Sequence, residues 1–157
     1  MSRENSRGAP EELIREVADA VREYGSANET FDAVASVRLG VNRTDMQVLD
    51  LVDRQGPVTA GSIAEGTHLT TGAVTAVIDR LEKKGFVRRR SDKGDRRKVW
   101  VEVTPRLKKL TQEIYGPLAQ AGFRNLSRFS TRELQLIRDV LVSGRDLLVE
   151  HSERIRR

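Results

Sequence analysis

Residues 91–98 read SDKGDRRK, four cations and two carboxylates in eight positions. Ammonium and guanidinium groups crowded on a short loop can neutralise phosphates, and guanidinium groups suit a narrow minor groove with its concentrated negative potential. The crowding extends beyond the loop. From Arg80 to Lys109 there are 13 Lys and Arg against 4 Asp and Glu, net +9, whereas the whole chain of 157 residues carries +5 and the remainder therefore sums to −4. A solvated charged face usually mixes signs, as the rest of this chain does. A cationic segment confined to one stretch points instead to a nucleic-acid partner.

Other chemistries find little support. The chain has only two histidines, His68 and His151, far apart in sequence, and no motif joins either to a nucleophile, a metal cluster or a phosphate loop. With zero cysteines, disulfides, thiolate metal sites and thiol redox sensing are excluded. We expect no enzyme activity, metal or cofactor. An architectural or RNA-binding module on the same basic face is the alternative, but RNA recognition usually needs stacking aromatics, and aromatics are 4% of residues, with Trp100 alone near the patch. No apolar run approaches membrane-spanning length and the opening MSRENSRGAP lacks the apolar core of a secretory signal, so a cytoplasmic protein without membrane contact is expected.

Helical periodicity dominates the elements that must position the basic loop. Leu13, Val17, Val21, Tyr24, Asn28, Phe31, Ala35 and Arg38 recur at steps of three or four, one stripe along a long helix weakened in its middle by Gly25 and Ser26. Thr44 and Gln47 have capping-box spacing for a second helix that ends at Gly56. Thr59 can cap a short third helix. Thr70 can cap a fourth that buries Val74, Ile78 and Leu81 and stops at Gly85. The period then changes to two. FVRRR and VWVEV read as strands of a hairpin, with Val99, Val101 and Val103 on one face and Trp100 and Glu102 on the other. Thr104 and Pro105 start a helix through Leu107, Leu110, Ile114 and Leu118, in which Pro117 should cause a kink or an end. Ser130 and Glu133 form the capping box of a last helix carrying Leu134, Ile137, Leu141 and Leu148.

This order describes a mainly α fold with a small β-hairpin wing, a winged helix-turn-helix flanked by further helices. The boundaries fall at 1–40 for an N-terminal dimerisation helix, 41–104 for the winged module and 105–157 for C-terminal dimerisation helices. The apolar stripes at the two chain ends, Leu13, Val17 and Val21 with Leu134, Ile137, Leu141 and Leu148, make the expected dimer interface, with Asn28 a register-setting polar residue. On the fourth helix, burial of Val74, Ile78 and Leu81 leaves Thr71, Gly72, Thr75, Ala76 and Arg80 outward, beside the capping Thr70. The threonines can touch phosphates or thymine methyls, Ala76 permits close approach, and Arg80 can reach a phosphate or guanine. Arg90, Lys93 and Lys98 would add attraction that does not depend on sequence.

The run VTAVIDRLEKKGFVRRRSDKGDRRKVWVEVT, together with TDMQVLDLV upstream and the helix order of the whole chain, resembles the MarR (multiple antibiotic resistance regulator) family. The resemblance implies a recognition helix followed by an Asp-Arg-Arg wing, in which Arg97 enters the minor groove, Asp95 orients it through an ion pair and Arg96 lies on the DNA backbone. It further implies a homodimeric, sequence-specific transcription regulator on double-stranded palindromic DNA. In this family such a protein is usually a repressor released by a small aromatic or phenolic effector lodged between DNA-binding lobe and dimer bundle. Three positions depart from the pattern: His68 stands in the turn where glycine is frequent, Gly72 replaces a more usual serine, and Leu107 stands where glycine is common. Histidine tolerates the left-handed backbone that such a turn needs. Gly72 lowers helix propensity by up to ~1 kcal/mol and removes a polar contact.

Overall fold

A computed structural model describes residues 10–92, 94–95 and 98–156. Among these residues six helices and three short strands follow one another as α1 (Glu11–Leu39), α2 (Arg43–Gln55), β1 (Val58–Thr59), α3 (Ala60–Thr67), α4 (Thr71–Lys83), β2 (Val87–Ser91), β3 (Val99–Val103), α5 (Pro105–Leu126) and α6 (Thr131–Arg156). They form two compact units, one ending at Leu110 and the other beginning at Thr111.

In the first unit the core is built from one face of each element. Val48 and Val52 of α2, Ile63 of α3, Val74, Ile78 and Leu81 of α4, Val87 of β2, Val101 of β3 and Leu107 of α5 are all buried. Val77 joins them. Ala35 and Leu39 at the end of α1 are buried too, so the last turns of that helix belong to this core, whereas Leu13, Val17 and Val21 are 49%, 51% and 61% exposed. Despite Gly25 and Ser26, α1 is continuous.

Local signals explain most of the boundaries. The Thr59 side chain accepts from the Ser62 N–H and caps α3, and the Thr70 side chain does the same for Ala73 in α4. Between these helices His68 has φ 56, the left-handed conformation expected of it. Gly85, at φ 70, ends the turn after α4. The α2 cap is Asn42, whose side chain accepts from the Asp45 N–H at 2.8 Å, and not the Thr44–Gln47 pair expected from spacing. In the sheet, β3 is central and antiparallel to both neighbours, with Val58 opposite Val101, and Val87 opposite Val103. The pairing of β1 was not anticipated, because two residues are too few to show a period.

In the second unit α5 runs through Pro117 to Leu126, so the helix does not end at the proline. Proline disfavours a helical conformation for the residue before it partly through that residue's Cβ, and here the preceding residue is Gly116, which has none. The α6 capping box is present as expected. Ser130 N–H and Oγ donate to Glu133 Oε2 at 2.8 and 2.7 Å, the Oγ bond above all holding the Glu133 carboxyl below its ordinary pKa, and Glu133 N–H donates back to Ser130 Oγ. Leu134 and Ile137 are partly covered, while Leu141 and Leu148 are 63% and 73% exposed. No helix among the described residues is long and apolar enough to cross a membrane.

Candidate nucleic-acid interface

The α3–turn–α4 pair presents one face of α4 outward. Thr70, Thr71, Gly72, Thr75 and Ala76 are all exposed on it, opposite the buried Val74, Val77, Ile78 and Leu81. A Cβ placed on Gly72 would meet nothing within 4 Å, so packing does not demand glycine there and the surface is open at that point. The Thr75 hydroxyl donates to the Thr71 carbonyl at 3.0 Å. Its single proton is thereby used within the helix, which leaves an acceptor oxygen and a methyl group to face a ligand.

Arg80 is corrected. Its guanidinium does not stand out from the helix as a spare cation but lies 2.6 Å from Asp45 Oδ1, a carboxylate of α2 whose side chain is 4% exposed. The pair ties the end of the recognition helix to the first turn of α2. Its physical reason is that a buried carboxylate needs a partner, and Arg80 on the neighbouring helix supplies one.

The strand arginines are also engaged within the protein. Arg89 bonds Asp79 at 2.5 Å and also Glu82, clamping β2 to α4, and the Asp79 bond, reinforced by Glu82, raises its pKa above the ordinary arginine value. On the other face of the hairpin, Glu102 Oε1 accepts from Arg88 at 2.7 Å, and Arg90, expected as a phosphate contact, approaches Glu102 Oε2 at 3.8 Å. Four of the segment's 13 cations thus face carboxylates within the protein before any ligand arrives, and two of those carboxylates, Asp45 and Asp79, lie outside the segment and so escape its charge count.

At the loop, Asp92 takes a part that sequence reasoning missed. Its Oδ1 accepts from the N–H groups of Gly94 and Asp95 at 2.8 and 3.0 Å, and its Oδ2 accepts from the indole N–H of Trp100 at 2.8 Å. An Asp followed two residues later by Gly is a signal for such a side-chain-closed turn. The Trp100 bond above all, with the two backbone bonds, lowers the Asp92 pKa from 3.8 to about 2. Because the folded value is depressed, whatever this group adds to the fold is present above the ordinary carboxylate value and is lost as pH falls through about 2. Lys98 is exposed, with Nζ 5.6 Å from the centre of the Trp100 ring. Lys93, Arg96 and Arg97 lie outside the described residues, and with Arg97 so does its expected pairing to Asp95.

A three-helix core with a helix-turn-helix, closed by a three-stranded sheet whose last hairpin is basic, defines a winged helix-turn-helix protein. The model of the MarR family matches residues 41–99. An uncharacterised HTH-type transcriptional regulator of Bacillus subtilis, YcgE, is 34% identical over 156 residues, covering 99% of each chain. In fold, the chain resembles FabT of Streptococcus pneumoniae, crystallised in complex with DNA (TM-score 0.60, 20% identity, 85% of this chain and 98% of that one). It also resembles NadR, crystallised with 4-hydroxyphenylacetate (TM-score 0.57, 19% identity, 91% and 96%). The chain belongs to the MarR family and is a DNA-binding transcription regulator.

Proposed function

We propose that this protein is a ligand-responsive repressor that binds a palindromic operator as a homodimer, with residues 41–104 as the reading head and 1–40 and 105–157 as dimerisation helices. The observation that carries the DNA contact is the exposed Thr70–Ala76 face of α4 with the basic wing following it in one unit. Thr71, Thr75 and Ala76 meet the major groove, Arg97 enters the adjacent minor groove, and Lys93, Arg96 and Lys98 neutralise backbone phosphates. The FabT complex supports the DNA contact, and the NadR complex supports an aromatic or phenolic effector. Footprinting the purified protein on its own promoter region tests the operator directly. On the protected sequence, Arg97→Ala should cost about 1–3 kcal/mol and weaken preference for narrow A/T-rich flanks, whereas Lys93→Ala should weaken operator and random DNA about equally. Loss of both duplexes alike on Arg97→Ala would reduce the wing to a plain electrostatic patch.

Dimerisation is supported by the unburied apolar positions of α1 and α6. Leu13, Val17 and Val21 are about half exposed or more, and α6 adds a groove of about 410 Å³ lined by Leu126, Leu134, Ile137 and Leu141. Surfaces of this kind mark association sites. Since Ala35 and Leu39 are buried in the first unit, the informative truncation removes residues 1–30 and keeps those two. We expect the truncated chain to sediment as a weak, aggregation-prone monomer with its winged module folded. A well-behaved dimer in the ultracentrifuge would remove α1 from the interface.

A further inference from the structure

We propose that Asp92 is the positioning residue of the wing, acting with Trp100 to hold the loop in the geometry that lets its cations tell the operator from other DNA. The inference rests on the reading of the wing as a minor-groove reader and adds what makes that reading selective.

One carboxylate serves two ends of the hairpin. Asp92 follows β2 directly, and through Oδ1 it closes the turn by accepting from Gly94 and Asp95. Through Oδ2 it grips Trp100, which sits on β3 opposite Arg90. Backbone bonds complete the frame, with Asp92 N–H donating to the Lys98 carbonyl and Lys98 N–H to the Asp95 carbonyl, both at 2.9 Å. Lys98 then lies over the Trp100 ring. The described tip residues are therefore bonded to one another or to Trp100, and between Asp92 and Lys98 the sequence carries three further cations, Lys93, Arg96 and Arg97.

Charge and geometry make opposite demands at Asp92. A fixed negative charge on a loop that approaches phosphates opposes binding by simple Coulomb repulsion. A loop whose only task were attraction would bind better without it. The carboxylate helps only if holding the turn outweighs that repulsion, and it can do so because a side chain entering a narrow groove must arrive on the right line, whereas a phosphate contact tolerates error.

The sign of the effect separates the two. In the full-length protein, Asp92→Ala and Trp100→Phe are compared with the wild type by fluorescence anisotropy on a duplex selected by the wild type from a random pool and on a random duplex of the same length. We expect both variants to lower the selected-to-random affinity ratio roughly tenfold, the range set by losing one good base-reading contact. Random DNA should be bound unchanged by Trp100→Phe and equally or more tightly by Asp92→Ala, with helical circular dichroism and melting temperature retained. Trp100→Phe leaves both turn bonds of Asp92 in place and so supplies a folded test if Asp92→Ala does not fold. Tighter binding of both duplexes by Asp92→Ala, or a wild-type ratio in Trp100→Phe, overturns the proposal. Arg97→Ala, measured alongside, distinguishes the failures. If it keeps the ratio, the groove reading falls and the lock with it. If it loses the ratio while Asp92→Ala and Trp100→Phe keep it, the lock alone falls.

Discussion

Arg80→Ala should unfold this protein more readily by about 2–3 kcal/mol, a larger stability loss than at any outward residue of the recognition helix. Truncating one partner of a buried ion pair typically costs about 3–5 kcal/mol, because the other charge is left in low dielectric without compensation. Two features lower the figure here. Arg80 itself is 46% exposed, so water screens part of the pair, and Asp45 lies in the first turn of α2, where the helix N-terminus favours a negative charge. Against a total stability of roughly 5–15 kcal/mol the remainder is still large. The double variant Asp45→Leu/Arg80→Met should recover most of the loss, since replacing a whole buried pair by apolar groups is often neutral. It should also bind the operator within a few-fold of wild type. Urea denaturation of the single and double variants checks the first part and a binding titration the second. Unchanged stability of Arg80→Ala, with operator binding abolished, would return Arg80 to the set of direct DNA contacts.

That pair also shows where a sequence stops being readable. Asp45 and Arg80 are 35 residues apart, and nothing local in either neighbourhood names the other. The same holds for Arg89 with Asp79 and Glu82, and for Glu102 beneath Arg88 and Arg90: a charge count registers the cations, but only the fold decides which carboxylate each one meets. What could be read was local. The caps at Thr59, Thr70 and Ser130 and the buried stripe of Val74, Ile78 and Leu81 all follow from spacing of a few residues, whereas the left-handed His68 was expected from the family resemblance. Failures occurred where two local signals competed or one was too short. Asn42 and Thr44 are both good caps within a single turn, and the capping-box spacing favoured the wrong one. Pro117 is a helix breaker in general, but Gly116 before it removes part of the clash. The pairing of β1 with β3 depends on where the third helix carries Val58, a matter of tertiary structure. In the wing, the Asp-x-Gly turn at Asp92 was legible in principle, but the grip on Trp100 comes from the register of β2 against β3.

Operator binding should weaken about 10⁴-fold between 50 and 200 mM salt, with a slope of log K against log salt near −7. The figure follows from the basic residues proposed at the interface, less those that the structure shows beside carboxylates. Among the basic residues expected at the interface, Arg80 is held by Asp45 and Arg90 lies beside Glu102, so neither should release a counterion on binding. Lys93, Arg96 and Lys98, proposed above on backbone phosphates, and Arg97, whose charge in the minor groove is taken to displace one counterion as well, make four in each subunit and eight in a homodimer, at about −0.9 for each. Had all six cations of each subunit been available, the slope would approach about −11, which is far enough from −7 to be resolved by titration over a fourfold salt range. Two variants assign the difference. Lys98→Gln should make the slope shallower by about 1.8, one phosphate lost from each subunit, while Arg90→Gln should leave it within error of wild type. A slope near −11, with Arg90→Gln making it shallower, would mean that the Glu102 pairing opens on DNA and that the arginine exchanges carboxylate for phosphate. A slope shallower than about −3 would contradict phosphate neutralisation by the wing of both subunits.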